Sequence, residues 1–249
     1  MNKMKRKALI IGNTSGETGV GVDVANYSNF LTSDKGGAWD AGEVDISLDP
    51  TRAEILCLLA RYKRMGLDYF MLIFAGHGGF SRRLGETVME LSSPGGRAED
   101  LNETETLDVA PRQLNILDCC RCYYDDPMIK EGAHLVNASF QMSIARSIAR
   151  GIYDDRLRAS CKGTSTLYAC SIGQTAEGES EEGGVFSNAL LDMGGFPAGQ
   201  QVYSVAEAMK HAKEVIAANP YAAQTPSARL PRCMANQQLP WAVTPLLFS

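Results

Sequence analysis

Short unbroken apolar runs and longer stretches with helical spacing follow one another along this chain of 249 residues. Residues 7–11 form an apolar run that stops at Gly12, which predicts a buried strand. The stretch carrying Gly12, Gly16, Gly19 and Gly21 predicts a flexible loop. It has neither the G-x-G-x-x-G spacing of a dinucleotide loop nor the Gly-Lys-Ser/Thr of a phosphate loop. Helical periodicity then covers residues 23–32 through Val24, Tyr27, Phe30 and Leu31, and residues 43–48 alternate as a second strand. Asp49-Pro50-Thr51 is a helix start, with a capping residue and a proline preset for the first turn. That helix carries Ile55, Leu56, Leu58 and Leu59 to an end near Gly66. Residues 68–75 are a continuous apolar strand halted by Gly76-His77-Gly78-Gly79. Residues 114–117 are another, ending at Asp118-Cys119-Cys120. Further on, the pattern predicts a helix over 140–149 with Ile144 and Ile148 on one face, and a strand over 166–169. Helices follow over 184–191 and 205–218; the tail after Gln224-Thr225-Pro226 is ambiguous.

Strands that alternate with helices build a parallel sheet covered on both faces. In such sheets the site lies beyond the carboxyl ends of the strands. Two strands here end in chemically loaded turns. If they are neighbours, His77 and Cys120 emerge at one edge.

Composition narrows the picture. A chain this long fits one large α/β domain, with two domains as the alternative. The net charge is −5 and no basic stripe carries interleaved aromatics, which argues against a nucleic-acid partner. The cluster Lys3, Lys5, Arg6 and Lys7 reads as a solvated run before the first strand. No stretch has the form of a signal peptide or reaches the roughly 18 apolar residues of a membrane span, so no membrane is expected and the expected location is cytoplasmic. The seven cysteines are an odd set, expected to be reduced and mostly buried. A structural zinc on Cys119, Cys120 and Cys122 lacks the second ligand pair such a site needs.

A thiol becomes a nucleophile as a thiolate, or when a base takes its proton, and imidazole is the side chain poised to do so near neutral pH. Taken singly, a His after a strand is usually a turn residue and a buried Cys is usually inert. His first and Cys 43 positions later (120 − 77), each after an apolar strand, is a stronger signal. At Phe74-Ala75-Gly76-His77-Gly78 and Leu117-Asp118-Cys119-Cys120-Arg121 the sequence resembles the caspase-like clan of caspases, metacaspases, paracaspases and their bacterial relatives. The register of that resemblance makes Cys120, not Cys119, the nucleophile. Its Cys-Arg pair is kept, with Asp118 and Cys122 as departures on the flanks. Residues 8–13 resemble the family's first strand. Residues 167–176, then Gly184-Val185-Phe186 and Ala189-Leu190, resemble the segment that opens the small subunit in caspases, so the likeness spans nearly the whole chain.

The resemblance implies a caspase-like three-layer α/β/α sandwich with a mostly parallel six-stranded sheet. It would form a single peptidase domain over 1–249, large-subunit-like to about 160 and small-subunit-like from about 161. It also implies an endopeptidase with a His77–Cys120 dyad and backbone N–H groups of Gly78 and Cys120 as oxyanion donors. Asp118, two before the nucleophile, matches the acidic pocket position of the metacaspases and paracaspases, which cut after Arg or Lys. Asp23 and Glu177 match two further pocket acids. A guanidinium would pair with such carboxylates. Each has a plainer reading: Asp23 as the cap of the helix that follows it, Glu177 as part of a solvated loop with Glu179, Glu181 and Glu182. Arg121 reads as structural.

The partners implied are a protein or peptide substrate with a basic P1 residue and an activating protein or ligand. No cofactor is implied. Calcium is a low-ranked alternative, with Asp125-Asp126 and Asp154-Asp155 as oxygen ligands. Autocleavage in the linker after Cys120, at a site such as Arg156 or Arg158, is a further expectation. His134 and His211 read as solvent-facing. The rival reading of the whole chain is a caspase-like scaffold that binds partners without turnover; a third is a cysteine-dependent hydrolase of a non-peptide substrate.

Overall fold

The computed structural model describes residues 3–15, 18–92, 98–123, 144–179 and 182–244. In chain order the elements are β1 (Arg6–Asn13), α1 (Thr18–Thr32), β2 (Val44–Leu48), α2 (Arg52–Arg64) and β3 (Tyr69–Gly76). A meander of β4 (Gly78–Ser81), β5 (Glu86–Leu91) and β6 (Glu99–Asn102) precedes β7 (Arg112–Asp118), α3 (Ile144–Ala159) and β8 (Gly163–Tyr168). Then come β9 (Gly178–Glu179), β10 (Gly183–Gly184), α4 (Val185–Leu191), β11 (Val202–Ser204), α5 (Val205–Ala218), β12 (Ser227–Arg229) and β13 (Pro240–Val243).

The main sheet has six strands in the order β12-β8-β7-β3-β1-β2, all parallel except β12, which runs antiparallel to β8. This is the mostly parallel sheet that alternation of strands and helices predicts. Side chains of β1 and β3 alternate between two separate cores. Ala8, Ile10, Met71 and Ile73 face α1, α3, α4 and α5, whereas Leu9, Ile11, Leu72 and Phe74 face α2 and the β4–β6 meander. Both faces are covered, which is why these strands read as unbroken apolar runs.

Several local expectations need correcting. Helix α1 starts at Thr18, so Gly19 and Gly21 lie inside it rather than in a loop. The cap of α2 is Thr51, whose Oγ accepts the Glu54 N–H while Glu54 Oε2 accepts the Thr51 N–H; Pro50 precedes the cap instead of opening the helix. In α3 the buried face carries Ala149, Tyr153 and Leu157, and Ile148 is exposed; residues 140–143 lie outside the described set. The β4–β6 meander was not visible in the hydrophobic pattern. Its strands are short, and only Met89, Leu91 and Leu101 reach the core. Residues 160 and 161, where the resemblance would divide large from small part, lie between α3 and β8.

The N-terminal basic cluster is not simply a solvated run. Arg6 is 3% exposed. Its guanidinium lies over the Trp39 ring at 4.5 Å, donates to Asp154 (3.0 Å), Glu43 (3.3 Å) and the Gly37 carbonyl (2.7 Å), and so ties β1 to α3 and the loop before β2. Arg150 adds a second bridge to Glu43 at 2.5 Å. A buried guanidinium is tolerable only with such complete pairing, and removing one partner strands the others. Arg6→Ala is therefore expected to cost about 3–5 kcal/mol in urea unfolding. A loss under about 1 kcal/mol would mean the network is solvated after all.

Candidate active site

Two turns meet at the carboxyl edge of the sheet. Strands β3 and β7 are neighbours, with Phe74 opposite Leu117 and Ala75 opposite Asp118. His77 stands two residues past Ala75 and Cys120 two residues past Asp118, so both leave the ladder at the same offset. The turns also touch. A Cβ on Gly78 would sit 2.6 Å from the Val88 carbonyl oxygen and 2.8 Å from Cys119 Sγ, so no larger residue fits between them. Before His77, Gly76 holds φ +146°, and a Cβ there would strike the Asn13 carbonyl at 2.7 Å. The His77 carbonyl accepts the Glu90 N–H at 3.0 Å, which anchors the turn on β5.

His77 and Cys120 are 7% and 8% exposed. Cys120 Sγ accepts the backbone N–H of Ala176 at 3.3 Å and lies 3.8 Å from the Ala176 carbonyl oxygen. Two further thiols lie close by. Burial pushes the Cys119 thiol well above its ordinary value, and burial together with the nearby Cys120 pushes Cys170 to about 12, so both are neutral at working pH. Arg121 fixes the turn from behind. It is 7% exposed and donates to Thr87 Oγ1 (3.0 Å), the Cys170 carbonyl (3.3 Å) and Ser227 Oγ (3.2 Å), with its guanidinium 3.9 Å from the Tyr168 ring centre.

On the side of the edge facing α1, Asp23 and Asp118 are buried close together. Asp23 is 4% exposed and Asp118 7%. A Cβ on Gly184 would lie 2.9 Å from Asp118 Oδ2 and 3.2 Å from Asp23 Oδ2, so both carboxylates converge on that backbone. Asp23 Oδ1 accepts the Gly184 N–H at 2.8 Å, and Asp118 Oδ2 accepts the Ser187 hydroxyl at 2.5 Å. Burial, then the charge of Asp118, pushes the Asp23 carboxyl up to about 8; burial pushes Asp118 to about 6. Such a pair titrates as a unit that retains one proton near neutrality. Asp23 is not a helix cap, because α1 begins five residues before it.

The other sequence-derived candidates have contacts of their own. Glu177 Oε1 accepts the Ala223 N–H at 2.7 Å, and its backbone N–H goes to Gln224 Oε1, so its carboxylate braces the loop before β12. Asp154 pairs with Arg6 and Arg150, and Asp155 with Arg158; Asp125, Asp126 and Glu181 lie outside the described residues. Arg156 and Arg158 lie in α3, and Arg156 donates to the Gln238 and Ala235 carbonyls, so neither sits on a loop open to cleavage. His211 Nε2 is 3.0 Å from Asp192 Oδ2, a partnered rather than solvent-facing side chain; His134 lies outside the described residues. Sequence reasoning missed Ala176, Ser187 and Tyr27 at the site. Ala176 acts through its backbone, and Ser187 and Tyr27 read only as positions on helices.

Among the described residues no helix is long and apolar enough to cross a membrane. The family model for the caspase domain matches residues 5–247. No curated protein sequence matches. Solved structures with this fold include the crystal structure of caspase-1 from Spodoptera frugiperda. It superposes with a TM-score of 0.59 over 91% of this chain and 86% of that one, at 14% identity.

The carboxylate pair makes a pH-dependent prediction. Below the ordinary Asp value of 3.8 both folded and unfolded chains hold the Asp23 proton, and its burial costs nothing. As pH rises toward about 8, only the folded state still holds the proton, so stability falls. Asp23→Asn is expected to stabilise the free protein by about 2–4 kcal/mol at pH 8 and hardly at all at pH 4. Denaturant unfolding at both pH values checks this, and an equal effect at both would contradict it.

Proposed function

The chain belongs to the caspase domain family of cysteine peptidases, and on that premise we propose that it is an endopeptidase cleaving after Arg or Lys, with Cys120 as nucleophile and His77 as base and then acid. The observation that carries the specificity is the convergence of Asp23 and Asp118 in one buried pocket, with Asp118 only two residues before the nucleophile. An arginine or lysine side chain supplies the positive charge that lets both carboxylates ionise, and a guanidinium can meet them with two parallel N–H bonds. An acidic P1 side chain would add a third negative group to a site that already suppresses one ionisation.

The reaction follows from the edge geometry. His77 takes the Cys120 proton, and the thiolate adds to the scissile carbonyl. Backbone N–H groups of Gly78 and Cys120 receive the oxyanion. The ladder between β4 and β5 supports this role for Gly78: Glu90 bonds to the His77 carbonyl, and the alternation of an antiparallel pair then turns the Gly78 N–H away from β5. His77 returns its proton to the departing amine, and water then cleaves the thioester. Glu177 enters this reading as a brace of the pocket wall rather than a direct P1 contact. Because the Gly184 N–H occupies Asp23 and all four site side chains are buried, the segment around β10 must open for a P1 residue to enter. A partner or ligand that moves this segment would be the activating signal.

Hydrolysis of fluorogenic peptides ending in Arg, Lys or Asp tests the reading. Cleavage after Arg and Lys is expected, lost in Cys120→Ala and retained in Cys119→Ala. Asp118→Asn should lower kcat/KM by the equivalent of about 2–5 kcal/mol, since it removes one buried charge partner. Cleavage after Asp alone would overturn the pocket assignment. No cleavage of any peptide, with intact folding, would favour a scaffold without turnover.

A further inference from the structure

Ser187 sits in α4 with no exposed surface, facing the carboxylate pair. Its Oγ is 2.5 Å from Asp118 Oδ2 and 3.1 Å from Tyr27 Oη, and its backbone N–H also reaches Asp118. A serine hydroxyl has one proton, and an ionised carboxylate only accepts. The Ser187 proton therefore goes to Asp118, and the Tyr27 hydroxyl hydrogen is left to point at Ser187 Oγ. Tyr27 is completely buried, edge-on to Trp241 at 6.4 Å, and burial holds it in its protonated, donating form. The result is a one-way chain of donors from Tyr27 to Ser187 to Asp118. Asp23 also feels the Ser187 hydroxyl, but its direct donor is the N–H of Gly184, in the segment whose movement the proposed function requires.

We propose, building on the Arg/Lys reading above, that Ser187 is a positioning residue for specificity: its hydroxyl, 2.5 Å from Asp118 Oδ2, holds Asp118 as the anchor for a basic P1 side chain. The titratable groups facing Asp118 are Asp23 and Tyr27 from α1, and the thiols of Cys119 and Cys170 along the sheet edge, with Arg121 acting on both thiols. None of these supplies a side-chain proton donor to Asp118 in place of Ser187. Without the hydroxyl, a buried carboxylate keeps only the backbone N–H, its charged form loses support, and the pair shifts toward two protons. The loss should therefore appear in substrate binding and at acidic pH, while the sulfur chemistry at Cys120 is untouched.

The test is the pH profile of a P1-Arg peptide for wild type and Ser187→Ala, with iodoacetamide alkylation of Cys120 reporting that the variant's nucleophile is intact. The acid limb of kcat/KM should move about one unit toward alkaline pH. That gives a loss of about 5-fold at pH 6, approaching about 10-fold at lower pH, that narrows by pH 9 and sits in KM rather than kcat. Carbon-13 NMR titration of labelled aspartates in the free protein should show the Asp118 carboxyl rising by a similar amount, a readout that needs no turnover. A variant with an unshifted acid limb and an unshifted Asp118 titration, or one that loses kcat equally at every pH, overturns the role of Ser187. Failure of the Arg/Lys reading looks different, because wild type itself would then leave P1-Arg and P1-Lys peptides uncut.

Discussion

The parallel pairing of β3 with β7 in a register that sets Ala75 opposite Asp118 determines where both chemically loaded turns emerge. A slip of one residue would exchange the faces of every side chain in the strand and send its apolar residues into the wrong core. The two cores prevent that slip. Met71 and Ile73 pack on one face with Leu114 and Ile116, and Phe70, Leu72 and Phe74 pack on the other with Leu117. The same register leaves His77 and Cys120 equally far beyond the last paired residues. Tight turns then finish the placement, with Gly76 and Gly78 admitting a backbone approach that any side chain would block. The position of the proposed dyad is thus set first by ordinary sheet packing.

Much of this was legible from residue patterns. Both central strands show as apolar runs of strand length, the first closed by Gly76 and the second by Asp118. The location of His77 and Cys120 at a shared edge follows from the two turns once the strands are taken as neighbours. What remained illegible was governed by tertiary contact. Asp23 reads equally well as a helix cap, and only the start of α1 at Thr18 and the approach of Gly184 show it inside a pocket. Arg6 reads as part of a solvated basic run because nothing local announces Trp39, Glu43 and Asp154 around it. Glu177 matches a family position by spacing, yet its carboxylate turns to Ala223, a contact 46 residues away. Ser187 is one polar residue on an apolar helix, a pattern with no chemistry of its own.

A cost runs through the site. Two carboxylates in a dry pocket are unfavourable for the free fold, and the structure offsets this only in part, through the Gly184 N–H and the Ser187 hydroxyl. On the proposed specificity, that residual tension is what a basic P1 side chain would relieve on binding, turning the free-energy penalty of the free site into selectivity. Arg121 stabilises the opposite side, where five donor and ring contacts hold the chain just after Cys120 against β5, β8 and β12. Arg121 holds the nucleophile turn, and β10, which pairs with β9 and gives the Gly184 N–H to Asp23, is the segment whose movement the proposed reading requires.

The most direct test of the central claim, that a charged pocket beside Cys120 selects a basic side chain, is covalent labelling with matched peptidyl chloromethyl ketones carrying Arg or Asp at P1. Intact-mass measurement and peptide mapping read the outcome. The account expects one adduct, on Cys120, formed by the Arg reagent much faster than by the Asp reagent. Labelling on Cys119 or Cys122, or equal rates for the two reagents, would contradict it.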